Sequence, residues 1–193
     1  MPDQKDIDIA FQKVKGLRSA YIEALEYVKG DAVIYFSPDG NSIPELITKL
    51  IERIQEGYDM VIVSRYREGA RSHDDSCFTR LVNWTVTKVI NLFFGGHYTD
   101  AMVIYRAIRV DIFKKLGLDK PNPFIAWAEN KLKTIVGLEA QLSIRCAKNR
   151  IKTIEIPGDE PVRIGGMTKM KHLRCGIVLL LLILCEFFRR SIR

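Results

Sequence analysis

Apolar residues in the first third of the chain fall into short runs that end in polar turns. Two such runs, at residues 32–36 and 60–63, are typical of strands that are covered on both faces. A helical pattern at residues 44–54 follows the first turn. Strand, polar turn and helix in succession predict a mostly parallel α/β sheet with right-handed crossovers.

The same patterns predict further elements along the chain. Ser42 and Glu45 have the spacing of a capping box at the start of the helix that follows the first turn. Residues 103–106 are predicted to form a short strand or turn. Other predicted helices lie at about residues 9–29, 78–94, 110–116 and 138–148, and a last strand at 152–156. With no internal repeat or low-complexity linker, residues 1–169 are predicted to form one domain.

The C-terminal segment 170–193 has a different character. Residues Gly176–Cys185 are almost purely aliphatic, between Arg174 on one side and Arg189 and Arg190 on the other. This run is shorter than the roughly 20 residues that span a bilayer. We favour a helix in the membrane interface or a hydrophobic contact between protomers over a core helix. A full span with snorkelling arginines is a less favoured alternative.

Composition narrows the class of protein. A chain of 193 residues with 47% hydrophobic and 27% charged residues can bury a core. The net charge of +7 favours an anionic partner, either phosphate or a lipid surface. Nucleic acid is disfavoured because no aromatic residues alternate with the basic ones on a strand. The four cysteines form no CxxC pair, and the first residues are polar, which predicts a reducing compartment and no signal peptide.

The turn after the first predicted strand carries the strongest candidate chemistry. Ser37, Asp39 and Asn41 alternate in it, and all three carry oxygen atoms. Ligands of open α/β sheets bind at the carboxyl ends of strands, and Mg²⁺ or Mn²⁺ takes oxygen ligands that it shares with substrate phosphates. Alternatively, Asp39 only forms an Asx-turn or caps the next helix.

Other candidates are charged residues near predicted strand ends. Arg65 follows the second strand and is a candidate phosphate ligand. Asp100 either lies at the rim of a site or caps the next segment. Arg106 either clamps a phosphate or pairs with a surface carboxylate. Arg163 and Lys169 flank a glycine pair and either bind a phosphate at a membrane surface or form a solvated basic loop.

Several short segments occur in an order and spacing that resemble a known family. They are Lys15–Arg18, Gly30-Asp31, Phe36–Asn41, Pro44–Leu46, Gly57–Ile62, Ser64–Tyr66, Asp100, Tyr105-Arg106, Glu139, Cys146-Ala147, Glu155–Pro157 and Arg163–Lys169. Together they resemble the inverting glycosyltransferase family 2, and within it the dolichyl-phosphate mannosyltransferase-like and polyprenyl-phosphate glycosyltransferase-like enzymes.

The resemblance implies a GT-A fold, which is a Rossmann-like, mostly parallel sheet with flanking helices. It also implies a nucleotide-diphosphate sugar donor, a divalent Mg²⁺ or Mn²⁺ ion, and a polyprenyl or dolichyl phosphate or a saccharide as acceptor. Asp39 matches the second acidic position of the DxD-like metal motif, and Asn41 matches a nearby polar ligand. Ser37 stands where the family has the first aspartate, which implies weaker metal binding.

The resemblance assigns the remaining candidates as well. Asp100 matches an acidic residue near the acceptor that acts as a base or positions a substrate, and with Asp39 it forms the candidate catalytic pair. Arg65, Arg106, Arg163 and Lys169 match basic positions for donor or acceptor phosphates. Glu139 is assigned to substrate binding.

The expected setting is the cytoplasmic side of a membrane, with the chain peripheral to it or anchored in it, and homo-oligomers are an open alternative. Family members open with strands that hold the nucleotide base, and Met1–Val14 contains no such strand. The resemblance therefore implies a chain that begins late, with a partial nucleotide pocket. A glycosyltransferase is the favoured function, and a catalytically impaired, membrane-associated scaffold of the same fold is the alternative.

Overall fold

The computed structural model describes residues 9–14, 16–37, 39–120, 122–134, 136–164 and 172–189. Four strands form one sheet: β1 (Ala32–Tyr35), β2 (Met60–Ser64), β3 (Arg106–Arg109) and β4 (Thr153–Pro157). The helices are α1 (Leu17–Ala24, followed by a 3₁₀ turn at Leu25–Tyr27), α2 (Leu46–Gln55), α3 (Cys77–Phe94), α4 (Val110–Lys115), α5 (Pro123–Leu132), α6 (Glu139–Lys148) and α7 (His172–Phe188).

The sheet is mixed, with the strand order β1-β3-β2-β4. Strand β3 lies between β1 and β2 and is antiparallel to both, whereas β2 and β4 are parallel. Strands β1, β2 and β4 therefore point in one direction, but two of the three pairings are antiparallel. The predicted α/β class is confirmed. The prediction of a mostly parallel sheet is wrong, because most neighbouring strands pair in the antiparallel direction. The sequence signal for β3 is weak because Arg106 and Arg109 bracket only two apolar residues.

Strand β2 is the centre of the core, and all five of its residues are buried. Its side chains alternate between the two faces of the sheet. On one face, Met60 Sδ lies 3.8 Å from the Cys146 thiol of α6. On the other face, Val63 and Leu46 of α2 both approach Gly158 so closely that a Cβ there would overlap them. Helices α2 and α6 therefore cover opposite faces of the sheet.

Two predicted helix starts are wrong. The first helix begins at Leu17 rather than near residue 9, and Gly16 before it has a φ of 134°, which is not helical. The capping box does not form, because the second helix begins at Leu46 and its N-cap residue Glu45 makes no side-chain cap bond. Ser42 instead is buried in the turn that precedes the helix.

Helix α5 was not predicted from the hydrophobic pattern, although the sequence carries a start signal. The Asn122 side chain accepts hydrogen bonds from the backbone N–H groups of Phe124 and Ile125, at 3.1 and 3.3 Å. Pro123 occupies the first turn, where its missing N–H costs nothing. The helices predicted at 78–94, 110–116 and 138–148 agree with α3, α4 and α6 to within one residue.

Helix α7 packs against α5 and α6. One face of it is part of the core, through the buried side chains of Val178, Leu179 and Leu182. In this respect α7 matches the alternative that the C-terminal helix is a core helix. No helix within the described residues is long and apolar enough to cross a membrane. The division of the chain at residue 170 stays a prediction.

A buried ion pair joins α7 to α6. Arg145 Nη2 lies 2.6 Å from Glu186 Oε1, and both side chains are less than 5% exposed. Gln141 Nε2 donates to the same carboxylate oxygen at 2.7 Å. Arg145 also donates to the backbone carbonyls of Leu116 and Gly117. The pair therefore fixes how α7 lies on the domain.

We expect Glu186→Ala to lower the free energy of unfolding by about 3–5 kcal/mol, because it leaves the Arg145 guanidinium buried without a counter-charge. Urea unfolding followed by circular dichroism measures this loss. The matched control is Glu56→Ala, which removes an exposed ion pair with Arg53 on α2 and should leave the midpoint unchanged. Equal midpoints for the two variants would contradict the anchoring role of Glu186.

Candidate active site

The candidate site lies at the edge of the sheet where β1, β2 and β4 end. Because these strands share a direction, the turns that follow them, at residues 36–37 with 39–41, 65–69 and 158–164, lie at one edge. Two contacts show that the first and last turns touch. Asn41 Nδ2 lies 3.4 Å from Glu160 Oε1, and the N–H of Ile164 donates to the Asp39 carbonyl at 2.8 Å.

The turn after β1 presents the Asp39 carboxylate at the surface. Its side chain is 35% exposed, and Ser37 Oγ donates to Asp39 Oδ1 at 2.5 Å. Gly40 has a φ of 85° and packs so closely on Ile164 that a Cβ would overlap that side chain. Ser37 and Asp39 are thus joined within this turn, and the assignment of Ser37, Asp39 and Asn41 as one ligand group stays a prediction.

Arg65 lies immediately after β2 and is the most extensively paired cation of the site. Its Nε donates to Asp100 Oδ2 at 2.6 Å and its Nη2 to Asp100 Oδ1 at 3.0 Å, which is a bidentate pair. Its Nη1 donates to Glu160 Oε2 at 3.0 Å and lies 3.4 Å from Asp75 Oδ2. Burial opposes the charged form, but the carboxylates outweigh it and raise the pKa of Arg65. Arg65 thus holds three acidic residues together.

Asp100 is completely enclosed. Besides the two Arg65 bonds, it accepts from the Arg65 backbone N–H at 3.2 Å and from Asn83 Nδ2 of α3 at 2.9 Å. Burial alone would raise the pKa of Asp100, but the charge and hydrogen bonds of Arg65 lower it below its ordinary value. With no exposed surface, Asp100 positions Arg65 in this conformation, and its assignment as a catalytic base stays a prediction.

Glu155 of β4 fixes the segment that carries Asp100. Its carboxylate accepts from the N–H of Thr99 at 2.8 Å, from the Thr99 hydroxyl at 2.7 Å and from the N–H of Asp100 at 3.0 Å. The Thr99 hydroxyl also lies 2.6 Å from the Ser64 hydroxyl at the end of β2. Strands β2 and β4 therefore both hold this segment against the sheet edge.

Arg163 bridges two aspartates across the site. Its Nε lies 3.1 and 3.0 Å from the two carboxylate oxygens of Asp74. Its Nη1 lies 4.0 Å from Asp39 Oδ2. The hydrogen bonds from Arg163 lower the pKa of Asp74. Arg163 is thus placed beside Asp39, whereas Lys169 lies outside the described residues.

Arg106 is buried at the start of β3, and its hydrogen bonds are made within the protein. It is 1% exposed and donates to the carbonyls of Val103 at 2.9 Å and Ala101 at 3.2 Å, and to Ser143 Oγ at 3.0 Å. Burial lowers the pKa of Arg106 more than its acidic neighbours raise it. In this conformation Arg106 ties the 101–105 segment to α6, with no surface open to a phosphate.

Glu139 lies in the first turn of α6, where burial raises the pKa of its carboxyl. It lines a cavity of about 10 Å³ with Tyr21, Tyr35 and Arg106. That volume holds one water at most, so a sugar cannot enter in this conformation. The assignments of Glu139 and Arg106 to substrate binding stay predictions.

The metal site stays a prediction as well. Within the described ranges, no group of three or more His, Cys, Asp or Glu side chains is arranged to hold a metal ion. The donor chemistry of Asp39, Ser37 and Asn41 nevertheless fits a hard cation, since all three offer oxygen atoms. Mg²⁺ in particular is commonly held by one or two carboxylates while substrate phosphates and water complete its shell.

Several acidic residues of the site were not among the sequence candidates. Asp74 and Asp75 form an acidic pair in the loop before α3, and Glu160 follows β4 next to Asp159. Acidic pairs in loops next to predicted helices or strands were a usable signal, but their partner arginines are 10 to 95 positions away.

The sequence comparison identifies the family. Residues 3–117, more than half of the chain, match the model of the family described as glycosyl transferase family 2. This chain belongs to glycosyl transferase family 2.

Relatives of this family 2 chain include three enzymes from archaea and bacteria. Glycosyltransferase AglJ of Haloferax volcanii is 26% identical over 95% of this chain and 55% of its own length. Dolichol-phosphate mannosyltransferase of Pyrococcus furiosus is 27% identical over 82% of this chain and 42% of its own length. Undecaprenyl-phosphate mannosyltransferase of Micrococcus luteus is 26% identical over 80% and 60%. The family 2 chain thus spans about half the length of these relatives.

We expect Asp100→Asn to lower the free energy of unfolding at pH 7 by about 3 kcal/mol, because Arg65 loses its bidentate partner. The folded-state pKa of Asp100 is lowered. Its stabilisation is therefore complete above the unfolded-state pKa of about 4 and is lost as the pH falls through the lower folded-state pKa.

Urea unfolding from pH 7 down to pH 3 should show the gap between wild type and Asp100→Asn shrinking below about pH 4. The matched control is Asp39→Asn, which changes a partly exposed carboxylate and should alter stability far less. A gap that does not depend on pH would rule out the ionised pair as its source.

Proposed function

We propose that this chain transfers a sugar from a nucleotide-diphosphate donor to a polyprenyl phosphate, with inversion, at the cytoplasmic face of a membrane. The observation that supports the proposal most is the accessible Asp39 carboxylate at the strand edge of a family 2 chain, with the Arg163 guanidinium 4.0 Å away. One carboxylate and one cation side by side suit a ligand that carries both phosphate oxygens and a divalent cation.

The donor diphosphate is proposed to lie over the turn after β1. A Mg²⁺ or Mn²⁺ ion, when bound, would offset charge that develops on the departing diphosphate. Asp39 would hold the ion, with the oxygens of Ser37 and Asn41 as additional ligands. Arg163 would exchange its bond to Asp74 for a phosphate oxygen. Arg67, partly exposed beside the end of β2, offers a further cation.

The acceptor is proposed from chemistry and from the relatives. Two relatives are named for dolichol phosphate and undecaprenyl phosphate. A phosphate oxygen is already ionised near neutral pH, so it needs to be positioned rather than deprotonated. Its attack forms the new bond to the anomeric carbon while the bond from that carbon to the donor diphosphate breaks. A buried, ion-paired Asp100 is consistent with an acceptor of this kind.

We expect Asp39→Ala to weaken Mn²⁺-dependent binding of a nucleoside diphosphate at least about tenfold, which corresponds to about 1.4 kcal/mol. Ser37→Asp supplies a second carboxylate to the same turn and should tighten the Mn²⁺-dependent binding. Arg163→Ala should weaken binding with or without Mn²⁺, because it removes phosphate contact rather than a metal ligand. Isothermal titration calorimetry with UDP and GDP, each with Mn²⁺ and with EDTA, measures all three.

The matched control is Glu45→Ala, which removes an exposed carboxylate just before α2 and should leave nucleotide binding unchanged. If folded wild-type protein binds none of a panel of nucleoside diphosphates and nucleotide sugars, the donor part of the proposal is wrong. The non-catalytic scaffold would then become the better reading.

We expect sugar transfer to a short-chain polyprenyl phosphate and none to the corresponding polyprenol, because the alcohol lacks the ionised nucleophile. Activity should follow ionisation of the acceptor phosphate, whose second pKa is near 6. Radiolabelled transfer from a panel of nucleotide sugars, measured between pH 5 and pH 8, tests this. Comparable rates with the alcohol would show that a general base operates and would overturn the positioning role of Asp100.

A further inference from the structure

The side-chain amide of Asn41, in the turn after β1, faces acidic residues from other parts of the chain. Its Nδ2 lies 3.4 Å from Glu160 Oε1, in the turn after β4. Hydrogen bonds from Arg163 and, as a smaller effect, from Asn41 lower the pKa of the Asp74 carboxyl. The amide nitrogen of Asn41 is therefore directed at two carboxylates.

This setting fixes which way round the Asn41 amide lies. An ionised carboxylate only accepts hydrogen bonds, and both N–H donors of an amide are on its nitrogen. The reverse orientation would place the amide oxygen 3.4 Å from Glu160 Oε1, without a proton between the two oxygens. The nitrogen thus faces the carboxylates, and Asn41 Oδ1 is turned away from them.

Glu160 is itself held by bonds that do not involve the first turn. Its Oε2 accepts from Arg65 Nη1 at 3.0 Å and from the Ser72 hydroxyl. Its backbone N–H donates to the Arg71 carbonyl at 2.9 Å, and its carbonyl accepts from the His73 N–H at 2.8 Å. With a side chain only 15% exposed, Glu160 has little freedom to move. The position of its Oε1 is therefore set before any ligand arrives.

The same contacts connect Asn41 to the buried ion pair. Asp100 holds Arg65 through two side-chain bonds, at 2.6 and 3.0 Å. Arg65 in turn holds Glu160, and Glu160 holds Asn41. A chain of four hydrogen-bonded side chains thus runs from the end of β2 to the turn that carries Asp39.

We propose that Glu160 is a positioning residue of the candidate metal site: it holds the Asn41 amide so that Oδ1, and not the nitrogen, is offered to a divalent cation. Mg²⁺ and Mn²⁺ take oxygen ligands. The loss of a group that orients a metal ligand typically weakens metal binding about 10–100-fold. The inference rests on the proposed function, because it assumes a cation at Asp39. It is tested with the metal alone, so it can fail while nucleotide binding persists.

The experiment is a double-mutant cycle in which Mn²⁺ alone is titrated and free Mn²⁺ is measured by electron paramagnetic resonance. The variants are Asn41→Ala, Glu160→Gln and the two combined. Glu160→Gln keeps an oxygen for Arg65 and Ser72 but presents an N–H group to Asn41. We expect each single change to weaken Mn²⁺ binding about tenfold. The combination should be within about twofold of Asn41→Ala, because Glu160 acts through Asn41.

Two further variants separate contact from charge. Asp159→Asn removes one negative charge beside Glu160, but Asp159 accepts from the Arg71 N–H at 2.7 Å rather than from Asn41. It should change Mn²⁺ binding less than about twofold. Glu160→Asp keeps the charge and withdraws it from Asn41 by one methylene, so it should weaken binding as Glu160→Gln does. Circular dichroism during heating shows whether each variant is folded.

A readout without metal is the pair of Asn41 side-chain amide signals in a ¹⁵N–¹H correlation spectrum, identified by their absence in Asn41→Ala. These signals should shift in Glu160→Gln and in Glu160→Asp and stay in place in Asp159→Asn, because only the Glu160 variants change the acceptor of the Asn41 N–H.

Four results would overturn the proposal. One is a folded wild type that binds no Mn²⁺. Another is a combined variant whose loss is the product of the two single losses, since Glu160 would then act by its charge. The third is an equal loss in Asp159→Asn and Glu160→Gln. The fourth is an Asn41 amide signal that both Glu160 variants leave unchanged.

Discussion

The buried pair between Arg65 and Asp100 is the interaction on which the candidate site depends. A buried ion pair is costly unless donors satisfy the remaining lone pairs, and here the Asp100 carboxylate accepts from Arg65 three times and from Asn83 once. These hydrogen bonds hold the end of β2, helix α3 and the segment before β3 together. Glu160 accepts from the third Arg65 nitrogen and thereby ties the turn after β4 to the same group. The pair therefore supports, together with the strand pairing, the arrangement of turns that presents Asp39.

Local patterns in the sequence were sufficient to predict most single helices and strands, but not how the strands pair. The runs that became β1 and β2 and the helices α3 and α6 have periodicities that neighbouring residues define. The position of β3 depends on contacts with residues at least 44 positions away, such as Ile62 opposite Arg106, and no local window contains them. Ser42 and Glu45 have the spacing of a capping box only by chance, because Ser42 lies in a turn before the helix and Glu45 makes no cap bond.

The residues of the site that follow strands could be predicted from the sequence, whereas the partners of its buried side chains could not. Asp39 and Arg65 follow apolar runs, so a general rule for α/β sheets placed them correctly at one edge. Arg106 also lies at a strand end, yet tertiary packing directed its guanidinium to the backbone carbonyls of Ala101 and Val103. A strand-end arginine is thus ambiguous until the segment beside it is known. The role of Glu155 could not be predicted either, because the N–H groups from which its carboxylate accepts belong to a loop about 55 positions earlier.

Acidic and basic side chains at the sheet edge are paired with one another, and Arg163 lies between the carboxylates of Asp74 and Asp39. Under the proposed function, a donor diphosphate would therefore compete with Asp74 for Arg163. Asp100 is fully buried and bound to Arg65 as a fixed counter-charge. Under the proposed function this arrangement suits a phosphate acceptor, because such an acceptor brings its own ionised oxygen and needs positioning rather than a base.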